Sequence, residues 1–413
     1  MKAVFLGGAN EVGRQAILID VGERFLFDYG VNVQTMAHPI EAPLPIKAIF
    51  LSHAHLDHSG HLPCLYKRGC NAELFLTPTT YELSLILLKD SIKVQKKKGM
   101  IPHYSYDDIE RMQEFVYPIF YKQKVEFDNA SFEFRDAGHI SGSAAILMET
   151  NRKKILFTGD IKFEPTRLLD GADQDFENID ILISETTYSY KNHPNRKQLT
   201  EQLKKDIRAT IEAGGIVILP CFAVGRTQEM LIILAEMDMP FWVDGMGIEA
   251  TFIVLNHPES QKNPVVLKQA FDRARKVRKP ADRATAISRP GIIVASAGML
   301  QGGPIHWYLK RLHDREDCLM ILNGYQIEGT PGRILLDTGR LCIPGLDVRP
   351  KMRIKFMDFS QHCGRDELLN FYKKLNPQKI ILVHGDRTEK FASELRDMGW
   401  DAVAPINGQS IQL

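Results

Sequence analysis

The sequence lacks a charge of one sign: among 413 residues, 52 Lys and Arg stand against 51 Asp and Glu, a formal net charge of +1. No global positive field therefore draws in a polyanion, and any nucleic-acid binding has to come from a local groove. A Cys-x-x-Cys pair is missing too, and Cys64, Cys70, Cys221, Cys318, Cys342 and Cys363 are scattered. That argues against a disulfide framework and for reduced thiols in an intracellular protein. No run approaches the roughly 18 apolar residues that a membrane span needs. Met1 to Gly8, with one lysine and a short apolar run before two glycines, is too short for a signal-peptide core. The expectation is a soluble, cytoplasmic chain with no membrane contact. Internal repeats and low-complexity segments are also absent, so the chain is not a repeat array.

What is present is enough apolar material, 44% of the chain, for two moderate cores, and two domains are expected. The first 60 residues alternate short apolar runs with turn residues: Ala3 to Leu6, Ala16 to Val21, Phe25 to Phe27 and Ala48 to Leu51 read as strands. Thr79 to Lys98 and Asp107 to Val116 read as helices, the second opening on acidic residues. Further strands are expected at Lys124 to Phe134, Ala144 to Glu149, Lys154 to Phe157 and Asp180 to Ile183, with Asn151 and Arg152 turning a hairpin. From about Asn195 helix and strand alternate, which argues for a parallel α/β unit, and the alternation continues from Met352 to the end.

The strongest chemical signal is Ser52-His53-Ala54-His55-Leu56-Asp57-His58-Ser59-Gly60, three imidazoles and a carboxylate directly after an apolar strand. Imidazole and carboxylate suit zinc, and a turn lets His53 and His55 face one ion while Asp57 and His58 face another. One cluster cannot close two sites. Other candidates lie after strand-like runs: Asp28, His139, Asp160, Glu185, His362 and His384. Ligand sites of open α/β sheets lie outside the carboxyl ends of strands, so these groups can converge. Taken singly, each is more readily a hydrogen-bonded structural residue; their number reverses that balance.

The order Asp28, His53-x-His55-x-Asp57-His58, His139 and Asp160 resembles the four motifs of metallo-β-lactamase-fold hydrolases. Glu185-Thr186-Thr187-Tyr188, Phe359-Ser360-Gln361-His362 and Leu382-Val383-His384-Gly385 resemble the A, B and C motifs of the β-CASP nucleases, and the likeness covers essentially the whole chain. It is closest to archaeal cleavage-and-polyadenylation-specificity-factor-like ribonucleases without KH domains. The resemblance implies an α/β fold: a metallo-β-lactamase αββα sandwich at 1–189 and 353–413, with an inserted α/β β-CASP domain at 190–352. Histidine at motif C is typical of RNA-directed members, so His384 implies RNA. One departure is the Cys363-Gly364 that follows His362, where many relatives have a small and then an acidic residue.

By this resemblance two Zn2+ are bound per chain: His53, His55 and His139 hold the first, Asp57, His58 and His384 the second, and Asp160 bridges them. Asp28 orients a ligand histidine from behind. The implied reaction is cleavage of single-stranded RNA by metal-activated hydroxide, leaving 5′-phosphate and 3′-hydroxyl ends, as an endonuclease or also from the 5′ end. His362 is the expected general acid and Glu185 the carboxylate that orients and charges it. Ser296, Ala297 and Gly298, and Arg226 at another strand end, are candidates for contacting RNA phosphate, each against an ordinary structural role. Two basic stretches, Lys96 to Lys98 and Lys268 to Arg283, either steer RNA or are solvated faces. Dimers are common among archaeal relatives, and no interface signature decides for one here; partners in RNA-processing or transcription machinery stay open. The rivals are a small-molecule or ester metallohydrolase of the same fold, disfavoured by the insert and His362, and a non-catalytic scaffold, disfavoured by a complete ligand set.

Overall fold

Alternation builds the first unit. In strand Arg24–Phe27, Phe25 and Phe27 join one core while Leu26 joins another, and Ile17 and Ile19 part from Leu18 in the same way. Residues two apart share a face of a strand, so each strand feeds two cores at once. The computed structural model describes residues 1–413 and contains two units. The first comprises Met1–Pro165, Gly171–Asn192 and Gln361–Leu413; the second comprises Thr166–Asp170 and His193–Ser360.

The first unit holds two seven-stranded sheets. One runs Ser410–Gln412, Lys2–Gly7, Ala16–Asp20, Arg24–Phe27, Ala48–Phe50, Glu73–Leu76, Val116–Pro118; the other runs Ala402–Val403, Lys379–Val383, Ile181–Glu185, Lys154–Phe157, Ala144–Thr150, Ala130–Asp136, Lys124–Glu126. Their inner faces share one aromatic-rich core in which the rings of Phe50 and Phe132, from opposite sheets, stack at 4.0 Å. Outside the first sheet, Leu26, Ile49 and Leu74 meet Leu65, Leu88 and Ile109 of helices Leu62–Lys67, Pro78–Lys97 and Tyr106–Gln113. Outside the second, Leu182, Ile380 and Leu382 meet Phe371 and Leu395 of helices Arg365–Leu375 and Thr388–Asp397. These are the four layers of an αββα sandwich, the expected α/β architecture.

The second unit is a six-stranded parallel sheet, Arg275–Lys276, Phe241–Asp244, Gly291–Ala295, Ile216–Pro220, Leu319–Leu322, Arg353–Phe356, with helices between its strands. Its last strand pairs with Leu319–Leu322, so the chain rejoins the first unit at Gln361 and not at the expected 353. The run Lys124 to Phe134 is two strands, not one: a turn at Phe127 to Asn129 closes an antiparallel pair, as the local Asp128-Asn129 favours. The helix expected to Val116 stops at Gln113, and Val116 enters a strand beside Leu74.

Candidate metal centre

Strand ends bring the candidates together. Asp28 follows Arg24–Phe27, His53 to His58 follow Ala48–Phe50, Asp160 follows Lys154–Phe157, Glu185 ends Ile181–Glu185 and His384 follows Lys379–Val383. His139 lies in the loop after Ala130–Asp136. His362, expected at a strand end, instead precedes helix Arg365–Leu375. The loop carrying Asp57 sits so close to Gly30 that a Cβ there would meet Asp57 O at 1.7 Å, so only glycine fits. Asp28 and His384 have φ of 56° and 50°, a left-handed backbone at two positions that aim side chains into one point.

Three groups of candidate ligands result: His53, His55, His139 and Asp160; Asp57, His58 and His384; and Asp160, Glu185 and His362. His53 Nε2 and His139 Nε2 each lie 3.2 Å from His55 Nδ1. Asp160 Oδ2 is 3.5 Å from His53 Nε2, 3.6 Å from His139 Nε2 and 3.4 Å from His58 Nε2, so one carboxylate stands between the first two groups. On the far side of the second group, Asp57 Oδ2 is 3.4 Å from His384 Nε2. Donors on one tetrahedral zinc at ordinary bond lengths are about 3.3 Å apart. These spacings therefore fit metal coordination, while His55 Nε2, His58 Nε2 and Asp160 Oδ1 are buried with no hydrogen-bond partner.

The residues behind the ligands set their tautomers. Asp28 Oδ2 accepts from His58 Nδ1 at 2.7 Å and from Ser52 Oγ at 2.8 Å, and its Oδ1 accepts from Ser52 N–H at 2.7 Å. His139 Nδ1 donates to Gln361 O at 2.8 Å, which leaves Nε2 as its lone-pair atom. Burial holds the His53 and His139 pKa values well below the usual imidazole value, assisted by neighbouring imidazoles, so both present neutral rings. For His58, burial is outweighed by Asp160 and Asp28, which push its pKa well above the usual value. The raised His58 pKa reports the negative charge that Asp160 and Asp28 concentrate here, which a divalent cation would offset in place of the proton.

His362 stands at the edge of the first group, its ring 4.6 Å from that of His139, and is engaged by Glu185. Its Nδ1 lies 3.1 Å from both oxygens of Glu185, whose Oε1 also accepts from Ile161 N–H at 2.7 Å. Asp160 Oδ2 is 4.0 Å from the same nitrogen. Burial disfavours the imidazolium, but Glu185 and then Asp160 outweigh it and raise the His362 pKa to about 9.

Comparisons with known proteins agree with this geometry. Residues 227–335 match the family model described as Beta-Casp domain, and residues 347–405 the one described as Zn-dependent metallo-hydrolase RNA specificity domain. Residues 8–213 match the model for anti-Pycsar protein Apyc1, which stops short of His362 and His384. Across the full length of both chains the sequence is 36% identical to "Probable RNase MJ4" of Methanocaldococcus jannaschii. The chain belongs to the β-CASP nuclease family. It is also 37% identical to RNase aCSPSF2 of Saccharolobus solfataricus, over 99% of this chain and 84% of that one. To transcription termination factor FttA of Methanosarcina mazei it is 33% identical, over 94% and 67%. The zinc-dependent family description and the buried ligand groups together support a metal cofactor.

In the β-CASP unit one expectation needs correction. Arg226 is 2% exposed and its guanidinium pairs with Glu229, which also takes Arg196 at 2.6 Å. Burial lowers the Arg226 pKa to about 10 despite Glu229. It is an interior charge balanced by Glu229, not a surface group reaching a phosphate. Ser296, Ala297 and Gly298 do leave a central strand at its carboxyl end, with Ser296 N–H donated to Asp244 O at 3.3 Å. In the basic stretch, Arg283 is paired with Asp244, Lys268 with Asp272, and Arg273 donates to Ala235 O and Met237 O.

Sequence reasoning missed Ser52, which joins Asp28 to the histidine loop, and Lys162. The Lys162 side chain is buried and donates to Glu367 Oε2 at 2.7 Å; the same oxygen accepts from Gly364 N–H at 2.9 Å. Cys363 N–H donates to Ile161 O at 2.8 Å, so the Cys363-Gly364 departure is tied to the loop that carries Asp160. A lysine two residues after Asp160 was the available signal. All six cysteines are free thiols. No helix is long and apolar enough to cross a membrane.

Proposed function

We propose that this β-CASP protein is a zinc-dependent ribonuclease that hydrolyses phosphodiester bonds of single-stranded RNA, leaving 5′-phosphate and 3′-hydroxyl ends. The observation that carries the reading is the pair of buried ligand groups with Asp160 Oδ2 3.5 Å from His53 Nε2 of one and 3.4 Å from His58 Nε2 of the other, and His362 and Glu185 at their edge. His53, His55 and His139 would hold one zinc and Asp57, His58 and His384 the other, with Asp160 between. Zinc held there would bring a bound water towards a pKa of about 7 and offset charge on a phosphate.

The chain's own residues do the rest. Asp28 fixes His58 so that Nε2 faces inward. Glu185 accepts from His362 Nδ1–H and favours the imidazolium, which gives its Nε2 proton to the departing 3′ oxygen. Glu185 accepts two further backbone N–H groups, which fixes it in place for that task. Names of relatives, RNase and transcription termination factor, support RNA as the substrate and the transcription machinery as a partner. Ser296, Ala297 and Gly298 are the phosphate-contacting candidates of the β-CASP unit.

The test is an end analysis of products from matched single-stranded and duplex RNA. Fragments whose 5′ ends are phosphorylated and whose 3′ ends accept a ligase without phosphatase treatment agree with the proposal. Cyclic 2′,3′-phosphate ends would contradict it, because they require attack by the RNA's own hydroxyl.

A further inference from the structure

We propose that Tyr190 and Arg387 form a nucleotide platform beside the metal centre, where one base of the RNA stacks on the Tyr190 ring and an adjoining phosphate accepts from the Arg387 guanidinium. The proposal rests on the ribonuclease reading above.

The two side chains reach the same spot from different strand ends. Tyr190 lies five residues beyond Glu185, and Arg387 three beyond His384. The Arg387 guanidinium sits 4.5 Å from the centre of the Tyr190 ring. Tyr190 is 43% exposed, whereas the neighbouring Tyr188 is 1% exposed. Tyr190 stacks on Tyr188 at 6.2 Å and 25°, and Tyr188 in turn lies 6.1 Å from the His362 ring. Two ring-to-ring steps thus separate an exposed aromatic residue from the proposed general acid.

An exposed tyrosine alone is ordinary. Three features make this one a binding element. Arg387 is exposed and forms no ion pair with a carboxylate, unlike Arg365, which pairs with Glu394 at 2.7 Å. The support is rigid: Ser189 N–H and Lys191 N–H turn back onto Thr186 O and Tyr188 O, and Arg365 binds Lys191 O through its N–H at 3.0 Å and Ser189 O through Nη1 at 2.9 Å. The Arg387 segment is anchored as firmly, with Asp386 Oδ1 accepting from Val12 N–H at 3.3 Å and Thr388 Oγ donating to Asn10 Oδ1 at 2.9 Å. A ring held this way loses little freedom on binding, which favours affinity.

The chemistry follows from the pair. Every base has a π face, so stacking on tyrosine is tolerant of sequence, and arginine adds a cation–π and phosphate contact. A base can stack there only if it has left its own helix, so the platform itself favours single strands over duplex. It also supplies the local positive contact that a chain of net charge +1 needs.

Steady-state cleavage of labelled single-stranded RNA by zinc-loaded wild type, Tyr190→Ala, Tyr190→Phe and Arg387→Ala tests this, with KM and kcat separated and salt varied. Tyr190→Ala is expected to raise KM about tenfold with kcat nearly retained, as loss of one stacked base implies. Tyr190→Phe restores wild-type KM, because the ring and not the hydroxyl is needed. Arg387→Ala lowers the slope of log KM against log salt by about 0.7, one phosphate contact on a single strand. An unchanged KM in Tyr190→Ala while wild type cuts RNA would overturn the platform and leave the ribonuclease reading standing. A wild type that cuts no RNA would overturn both.

Discussion

Replacing Asp28 by Asn separates the two ligand groups experimentally. Asn tolerates the left-handed backbone at this position (φ 56°) and keeps the side-chain volume, so the fold is retained. What it removes is charge and one acceptor. The buried carboxylate takes three hydrogen bonds, from His58 Nδ1 at 2.7 Å, Ser52 Oγ at 2.8 Å and Ser52 N–H at 2.7 Å. An amide has one oxygen, so at least one donor is stranded and the others lose their charge assistance; hydrogen bonds to charged groups contribute about 1.5 to 3 kcal/mol each. Loss of one such bond behind a ligand histidine corresponds to about 10- to 100-fold in metal affinity. The loss should fall mainly on the group that contains His58, which Asp28 contacts directly, whereas His53 is reached only through Ser52 Oγ, 3.1 Å from His53 Nδ1. Titrating a zinc chelator against the variant and measuring bound metal should therefore show one ion leaving 10 to 100 times more readily and the other released as in wild type. Equal weakening of both ions, or of neither, would refute the placement of Asp28 behind one site only.

Three other outcomes are expected. His362→Ala should retain its metal and lose about 10²- to 10⁴-fold in kcat, the usual worth of a general acid, and an active variant would remove His362 from that role. Glu185→Gln concerns pH: as the proposed general acid His362 acts in its acid form, its pKa is raised to about 9, and activity should be held below that pH and lost above it. Removing the carboxylate that raises it should shift this alkaline limb to lower pH, and an unmoved limb would detach Glu185 from His362. Glu229→Ala leaves the buried Arg226 and its neighbour Arg196 without their shared carboxylate. A cost of about 3 to 5 kcal/mol is expected, seen as a fall of about 10 °C in melting temperature, and a change under about 2 °C would contradict the buried pairing.

Legibility in the sequence followed how local the cause is. Helix Pro78–Lys97 lies within a residue of its expected bounds and strand Lys154–Phe157 lies on them, because apolar spacing and a short apolar run are properties of the segment itself. Strand Glu73–Leu76 was not read at all; it pairs with Ala48–Phe50 on one side and Val116–Pro118 on the other. Val116, read as helical, pairs with Leu74 in that sheet.

The centre was legible for a related reason. A metal site needs many ligands of few residue types, so the histidine cluster and the strand-end carboxylates stand out even when scattered over the chain. The residues behind the ligands do not. Ser52, Lys162 and Glu367 are common types whose role depends on three-dimensional partners, and the two roles of Arg226 stayed open because an arginine at a strand end looks the same whether it faces solvent or a buried Glu229. Tyr190 and Arg387, 197 positions apart, share no pattern that a linear reading detects.

The central claim is that a two-zinc centre joined by Asp160 cuts RNA. The most direct measurement is the length distribution of 5′-labelled single-stranded RNA after incubation with the zinc-loaded wild type and with Asp160→Ala, metal content being determined for both. The account predicts cleavage by the wild type alone, as internal fragments, or as mononucleotides if attack starts at the 5′ end. Intact RNA with a wild type that carries its zinc, or equal cleavage by the two proteins, would contradict it.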